Sequence, residues 1–388
     1  MKILFVSDMN IEFVCGSTYF CKRLATLLQK RGHEVAFMCP SGKSQYKSCA
    51  RYTFDGFTVF GVRSIPSLVQ KTLRVTLPLG IKKGLTETLE NYKPDIIHVQ
   101  SHGPLPWTVI KIAKRMRIPV VGTNHFVPDN VVHVFGLPKP ILALFIWLEW
   151  KHLHFVFKRL DHITTPTDTA ARLLRESGFE KTVRVVSNGV DLTTFNKNNR
   201  GEHLKERYHL PQKPILLFVG RLDPEKKLEV LLNALPIALR DVDMHTVIVG
   251  RGNRGSQLKA MAESLGIADH VTFTGFLADE DLPSMYMIAD CFVMPGNAEL
   301  QSIATMEAMA SGLPIIAARA MALPELVHDG ENGYLFSEGD HQNLAEKIVA
   351  LLKDRKLGAE MSKKSLEIVS EHDIGKTVEK FESLYREA

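Results

Sequence analysis

The feature that most constrains this chain is an alternation of short apolar runs with helix-forming segments, which runs its course once and then starts again. Ile3 to Val6, Glu34 to Cys39, Thr58 to Val62, Ile96 to Val99 and Pro119 to Gly122 read as strands; Thr18 to Lys30, Leu85 to Asn91 and Trp107 to Met116 read as helices. Helical crossovers between strands imply a parallel sheet, so the class is α/β. The pattern restarts at Ile215 to Val219 and continues through helix Leu228 to Leu239, strand Thr246 to Val249, helix Gln257 to Leu265 and strands Val271 to Phe273 and Cys291 to Met294. Two units are therefore expected, with a hinge within Val185 to Phe195 and a polar linker over Asn196 to Glu206. A length of 388 residues suits two ordinary domains. No short-period repeat points to a solenoid or propeller.

Met1 to Val6 reads as a first buried strand, too short for a signal peptide, and the longest apolar stretch, Pro140 to Leu148, is about half of what a bilayer needs. Cys15, Cys21, Cys39, Cys49 and Cys291 are odd in number and form no C-x2-C pair, which fits a reducing cytoplasm. Charge is divided unevenly. The first 180 residues hold 24 Lys and Arg against 13 Asp and Glu, or +11, and the remainder 24 against 30, or −6. A basic front half implies an anionic partner, either phospholipid headgroups or nucleic acid. Lipid is favoured because basic and bulky apolar residues interleave twice: Lys71, Arg74, Lys82 and Lys83 within Ile65 to Lys83, and Lys139, Lys151, Lys158 and Arg159 among Phe145, Trp147, Trp150, Phe155 and Phe157 within Leu137 to Leu160. An ordinary core helix with flanking charges is the competing reading.

Four motifs carry chemistry. In Pro295-Gly-Asn-Ala-Glu-Leu-Gln-Ser-Ile303, Glu299 lies at the mouth of a helix predicted over Ile303 to Ala310, and Glu307 about two turns further in. The two carboxylates cannot share one metal ion, but they can grip two ends of an extended polyhydroxylated ligand, with amides of a helix N-terminus between them at Leu300, Gln301 and Ser302. Val219-Gly-Arg-Leu-Asp-Pro-Glu-Lys-Lys227 places Arg221 and Lys226 between strand and helix, a diphosphate site by charge; surface pairing of Arg221 with Glu225 is the alternative. Val14-Cys-Gly-Ser-Thr-Tyr19 puts Gly16 in a strand-to-helix turn, and Gly122-Thr-Asn-His-Phe-Val-Pro128 puts His125 at a strand's carboxyl end, where open α/β sheets collect ligands. His98 and His102, at another strand end, read as lining or packing residues. Asp241-Val-Asp243 and Asp279-Glu-Asp281 satisfy a D-x-D pattern formally but read as surface carboxylates, and no Walker loop or Ser-His-Asp order is present.

Taken in order, these motifs resemble glycosyltransferase family 4, retaining enzymes of GT-B architecture in which two Rossmann-like domains face each other across a cleft. The resemblance implies domains at 1–188 (acceptor side) and 189–371 (nucleotide-sugar side), with a terminal helix at about 372–388 returning to the first. It implies that Glu299 contacts hydroxyls of the donor sugar, Glu307 the ribose, and Arg221 and Lys226 the departing diphosphate. His125 then stands beside the reacting sugar, Gly16 in the turn approaching diphosphate or acceptor, and Phe276 of Phe273-Thr-Gly-Phe276 near the nucleotide base. Departures are visible: Lys227 and Cys15 stand where the family has Gly, Met321 and Ala322 replace a Gly pair, and the common E-G-F-G reads Glu299-Leu-Gln-Ser302. Gln301 resembles the E-T-Q-G variant of glucosyltransferases acting on diacylglycerol.

The expectation is a retaining hexosyltransferase using a nucleotide sugar such as a UDP- or GDP-hexose as substrate, with no cofactor and no metal, since Arg221 and Lys226 supply the positive charge. The acceptor is expected to be a membrane lipid such as diacylglycerol, reached by peripheral contact of a cytoplasmic protein with the anionic inner face of the cell membrane, without nucleic acid. The acceptor hydroxyl would attack on the face the diphosphate leaves. A double displacement would need a carboxylate near His125, and Asp129 is the nearest in sequence. A transferase acting on a soluble sugar, a sugar-nucleotide epimerase of similar architecture and a non-catalytic nucleic-acid binder remain alternatives.

Overall fold

The computed structural model describes residues 1–13, 15–41, 49–67, 74–77, 79–128 and 138–388. Lys71, Asp129 and Leu137, named above, lie outside the described residues, as do Val14 and the side chain of Lys139. The chain divides into two compact units, Met1–Ser187 with Thr377–Ala388, and Asn188–Lys376.

In the first unit β1 (Lys2–Val6), β2 (Glu34–Ser41), β3 (Cys49–Phe54), β4 (Phe57–Pro66), β5 (Arg74–Thr76), β6 (Ile96–Val99), β7 (Val120–Thr123), β8 (His162–Thr165) and β9 (Val183–Val185) form one sheet ordered β3-β4-β2-β1-β6-β7-β8-β9, with β5 on β4. β3 and β5 run antiparallel to β4, while the central strands are parallel. Ile3, Leu4, Phe5 and Val6 are all buried, as a strand covered on both faces requires. The crossovers are α1 (Gly16–Lys30), α2 (Lys82–Tyr92), α3 (Pro104–Met116), α4 (Lys139–Phe157) and α5 (Asp168–Glu176). α1 buries Phe20, Cys21, Leu24, Ala25 and Leu28 along one stripe.

The second unit contains α6 (Glu202–Arg207), β10 (Ile215–Val219), α7 (Leu228–Ala238), β11 (His245–Val249), α8 (Gly255–Ser264), β12 (Val271–Gly275), α9 (Leu282–Met287), β13 (Cys291–Met294), α10 (Ile303–Ala310), β14 (Ile315–Ala318), β15 (Gly333–Phe336), α11 (His341–Lys353) and α12 (Arg355–Val369). Its sheet is parallel throughout, in the order β12-β11-β10-β13-β14-β15. The polar stretch Asn196 to Glu206 is not a linker. It belongs to this unit, where α6 buries Leu204 and Gly201 lies so close to the Ser284 carbonyl that a Cβ would stand 2.5 Å from it. Its polarity reflects Asx-type turns: Asp191 accepts from the amides and hydroxyls of Thr193 and Thr194, and Asn196 from the amide of Asn198.

The last helix, α13 (Ile374–Glu387), starts in the second unit, and from Thr377 onward it belongs to the first. There the Tyr385 hydroxyl lies 2.7 Å from His98 Nδ1, and Glu382 receives Arg31 at 3.0 Å and His33 at 2.9 Å.

Candidate active site

In an open parallel sheet the connections reverse direction at one strand pair, and the loops leaving the carboxyl ends there splay apart and leave a crevice. In the second unit that pair is β10 and β13, because the chain winds outward from β10 to β11 and β12 and then from β13 to β14 and β15. The segments leaving these two strands carry Arg221 and Lys226 on one side and Glu299 on the other. The Asn297 amide donates to the Glu225 carbonyl at 3.2 Å, tying the two segments together. Gly296 permits this approach, since a Cβ there would stand 3.1 Å from the same carbonyl.

The expected charges meet, each with a partner. Lys226 Nζ forms an ion pair with Glu299 Oε1, and the two side chains are only 16% and 13% exposed. Arg221 Nη1 donates to Asp223 Oδ2 at 2.5 Å and Nη2 to Glu225 Oε1 at 2.6 Å. The pairing of Arg221 with Glu225, given above as the alternative to a diphosphate contact, is thus what this structure shows. A guanidinium has five N–H donors, and these two bonds use two of them.

Lys226 closes a single 3-10 turn, Pro224–Lys226, and Lys227 follows with φ 51° and ψ 36° before α7 begins. This left-handed conformation is the one glycine adopts at low cost, which accounts for a Gly at this point in the resemblance. Lys227 keeps the turn and carries the strain.

Ser302 caps α10 by accepting from the Thr305 amide at 3.3 Å. Gln301 is 8% exposed, and its Oε1 accepts from the Asn188 amide at 2.7 Å, so this carbonyl fixes the start of the unit instead of projecting outward. Leu300 is buried as well. Glu307 is 3% exposed and its Oε2 accepts from the Tyr286 hydroxyl at 3.0 Å. It sits in the wall of the site and not at its rim. Phe276 follows Gly275 (φ 72°) at the end of β12 and is 56% exposed, leaving an aromatic face open at the carboxyl edge of the sheet.

Sequence reasoning passed over Val249-Gly-Arg-Gly252, although G-x-G directly after a strand is a signal for close backbone approach. Here the approach is to the chain itself: a Cβ on Gly250 would lie 1.9 Å from the Gly220 carbonyl oxygen, and one on Gly252 2.4 Å from Leu222. Asp223 Oδ1 accepts from the Asn253 amide at 2.9 Å, which binds the same two segments from the other end. Tyr286, which orients Glu307, carried no motif. Of the D-x-D carboxylates, Asp241 pairs with Lys353, Asp243 with Lys213 and Asp281 with Arg207, none in the segments that leave β10 and β13.

In the first unit, His125 follows β7, and its Nε2 lies 2.9 Å from Gln100 Oε1, with the ring 5.1 Å from that of Phe20. Loss of solvation lowers its pKa to about 4, so it is neutral near pH 7. His98 is a packing residue: its Nδ1 and Nε2 each have a hydroxyl at 2.7 Å, from Tyr385 and Thr123, and burial lowers its pKa to about 3. Gly16 opens α1 with nothing among the described residues within 4 Å of a Cβ position, so none of them requires glycine there. Cys15 is the residue before the helix, with Sγ 3.3 Å from Ser17 Oγ.

Within the second interleaved segment, Lys139–Phe157 forms one helix with two faces. Leu153, Val156 and Phe157 of α4 are fully buried, whereas Ile141, Leu144, Trp147, Leu148 and Phe155 are 41–57% exposed. Exposed Lys151 and Lys158 lie over the rings of Trp147 and Phe155. Ile65, Val75, Leu77 and Leu79 of the other interleaved stretch are exposed too. Among the described residues no helix is long and apolar enough to cross a membrane.

Comparison with known proteins agrees with this organisation. Residues 14–194 match the family model described as Glycosyltransferase Family 4, and residues 200–367 the one described as Glycosyl transferases group 1. A sulfoquinovosyl transferase of Arabidopsis thaliana is 30% identical over 380 residues, 95% of this chain and 70% of that protein. An alpha-monoglucosyldiacylglycerol synthase of Streptococcus pneumoniae is 27% identical over 390 residues, 98% of this chain and 85% of that protein. The crystal structure of Anabaena HepE in complex with UDP superposes with a TM-score of 0.79 at 19% identity over 100% of both chains, which shows a shared fold, the two-domain GT-B α/β fold.

Proposed function

The chain belongs to glycosyltransferase family 4, and from that premise we propose that it is a retaining, metal-independent hexosyltransferase that moves a hexose from a nucleotide sugar to the hydroxyl of a membrane lipid such as diacylglycerol. The second unit takes the donor, and the first is assigned the acceptor. The observation that carries this reading is the junction of the two segments at the β10/β13 switch point, where Lys226 and Glu299 meet between Arg221 and the N-terminus of α10.

Each group has a chemical task. Lys226 and Arg221 neutralise charge gathering on the departing diphosphate, and the α10 amides after Ser302 add their dipoles. Glu299 accepts hydrogen bonds from sugar hydroxyls. Glu307, oriented by Tyr286, takes the ribose hydroxyls, and Phe276 offers its face to the base. Neutral His125 acts as a hydrogen-bonding group on the acceptor side. A bond forms between the acceptor oxygen and the anomeric carbon while the bond to the β-phosphate oxygen breaks on the same face; the acceptor proton passes to that phosphate oxygen. No protein base is required by this route.

The lipid acceptor is supported by the exposed apolar and basic face of α4 and by the name of the pneumococcal relative. The same face supports peripheral attachment, which is assigned to the inner face of the cell membrane. The test is incubation with radiolabelled UDP-, GDP- and ADP-hexoses and extracted membrane lipids, then chromatography of the lipid phase. Label in lipid with release of nucleoside diphosphate is expected. Label confined to water-soluble sugar would redirect the acceptor assignment, and salt-sensitive nucleic-acid binding without turnover would overturn the enzyme.

A further inference from the structure

We propose that the first unit carries a divalent transition-metal site formed by His102, Glu149 and His152, an inference independent of the transferase reading. One ring nitrogen of each histidine and one Glu149 oxygen all lie within 4.8 Å of one another. Glu149 and His152 are three residues apart on α4 and therefore share a helix face. His102 comes to meet them from the loop after β6.

The site is built and not incidental. His102 is 7% exposed, and its neighbours on both sides are pinned to Asp8: Asp8 Oδ2 accepts from Ser101 Oγ at 2.7 Å and from the Gly103 amide at 2.9 Å. The ring is held further by Phe126 at 5.3 Å and Phe157 at 6.2 Å. His102 Nε2 lies 3.2 Å from Glu149 Oε2, while buried Nδ1 has no hydrogen-bond partner among the described residues. A buried imidazole nitrogen without a partner is uncommon in a settled structure; in a metal site it either coordinates the ion or donates its N–H to an acid that orients the ring. Asp8, to which the residues on both sides of His102 are bonded, is the acid nearest in the structure for that second role.

Two imidazoles and one carboxylate are the ligand set of an open zinc site, with a fourth position for water or another oxygen donor. Hard cations such as Mg2+ and Ca2+ prefer all-oxygen shells, so Zn2+ is the ion expected, with Co2+ as a spectroscopic stand-in.

Metal-stripped full-length protein titrated with Co2+ is expected to develop a visible d–d band that saturates at one equivalent and is discharged by Zn2+. His152→Ala and Glu149→Gln should each weaken Co2+ by about tenfold or more. Absence of a band at millimolar Co2+, or wild-type affinity in both variants, overturns the proposal. X-ray absorption of the Zn2+-loaded wild-type protein decides the matter without any variant. Two imidazoles and a light oxygen shell at about 2.0 Å support the site, and sulfur coordination sinks it.

Discussion

Lys226 and Glu299 illustrate how a functional pair also becomes a structural one. The resemblance assigns each a ligand contact and no task in the fold. With side chains 16% and 13% exposed, each instead neutralises the other, and removing one leaves a largely buried charge. Lys226→Ala should therefore lower kcat by about 100-fold or more and reduce stability as well. The double variant Lys226→Met/Glu299→Leu should recover the stability and none of the rate; full activity in either protein would end the diphosphate assignment. Lys227 makes the opposite case. Its left-handed backbone (φ 51°) predicts that Lys227→Gly raises stability by about 0.5–1 kcal/mol in urea unfolding, the relief of strain exceeding the extra entropy of glycine in the unfolded chain. Gly250→Ala should cost roughly 3 kcal/mol or more, because its Cβ would stand 1.9 Å from the Gly220 carbonyl; a variant as stable as the parent would mean the two loops are not packed as described. The residue types of these motifs were readable, but their partners were not. Asn188 beside Gln301 and Tyr286 beside Glu307 come from other segments of the chain, so no motif pointed to them.

Among the helices, α4 shows what periodicity can and cannot settle. Its sequence is apolar nearly all round, so no buried stripe could be drawn from spacing; only packing shows that Leu153, Val156 and Phe157 face inward while Ile141, Leu144, Trp147 and Leu148 do not. An exposed apolar row with lysines over its aromatic rings is suited to the boundary between headgroups and acyl chains. Leu144→Ser/Trp147→Ser should weaken co-sedimentation with anionic phospholipid vesicles by roughly tenfold, on the area these side chains would bury. Unchanged binding would remove α4 from the membrane assignment. Strands β3, β5, β8, β9, β14 and β15 escaped the sequence reading for a related reason. They are three to six residues long, too short for a period to mark them, and β3 and β9 also expose part of their length.

For the molecule as a whole, the buried histidines set a pH dependence. His98 and His125 have pKa values lowered to about 3 and 4, whereas an unfolded chain protonates histidine near pH 6.5. Below that point the unfolded state binds more protons, so stability should fall as pH drops from about 6.5 toward 4, at up to about 1.4 kcal/mol per pH unit for each histidine. His152, His154 and His245 are shifted in the same direction, while Asp8, with its pKa raised by burial, works in the opposite sense. Urea unfolding at a series of pH values measures the slope, and His125→Gln should lessen it; an unchanged slope would mean that this ring is not shielded from water. Local pattern was enough for the two α/β units, the order of their central strands and helices, and the segments that leave β10 and β13, because apolar runs and helix-forming stretches are properties written residue by residue. Which strands sit side by side, which cation meets which carboxylate, and whether an apolar side chain faces the core or the solvent were decided only in the folded chain, since each depends on atoms brought together from positions tens or hundreds of residues apart.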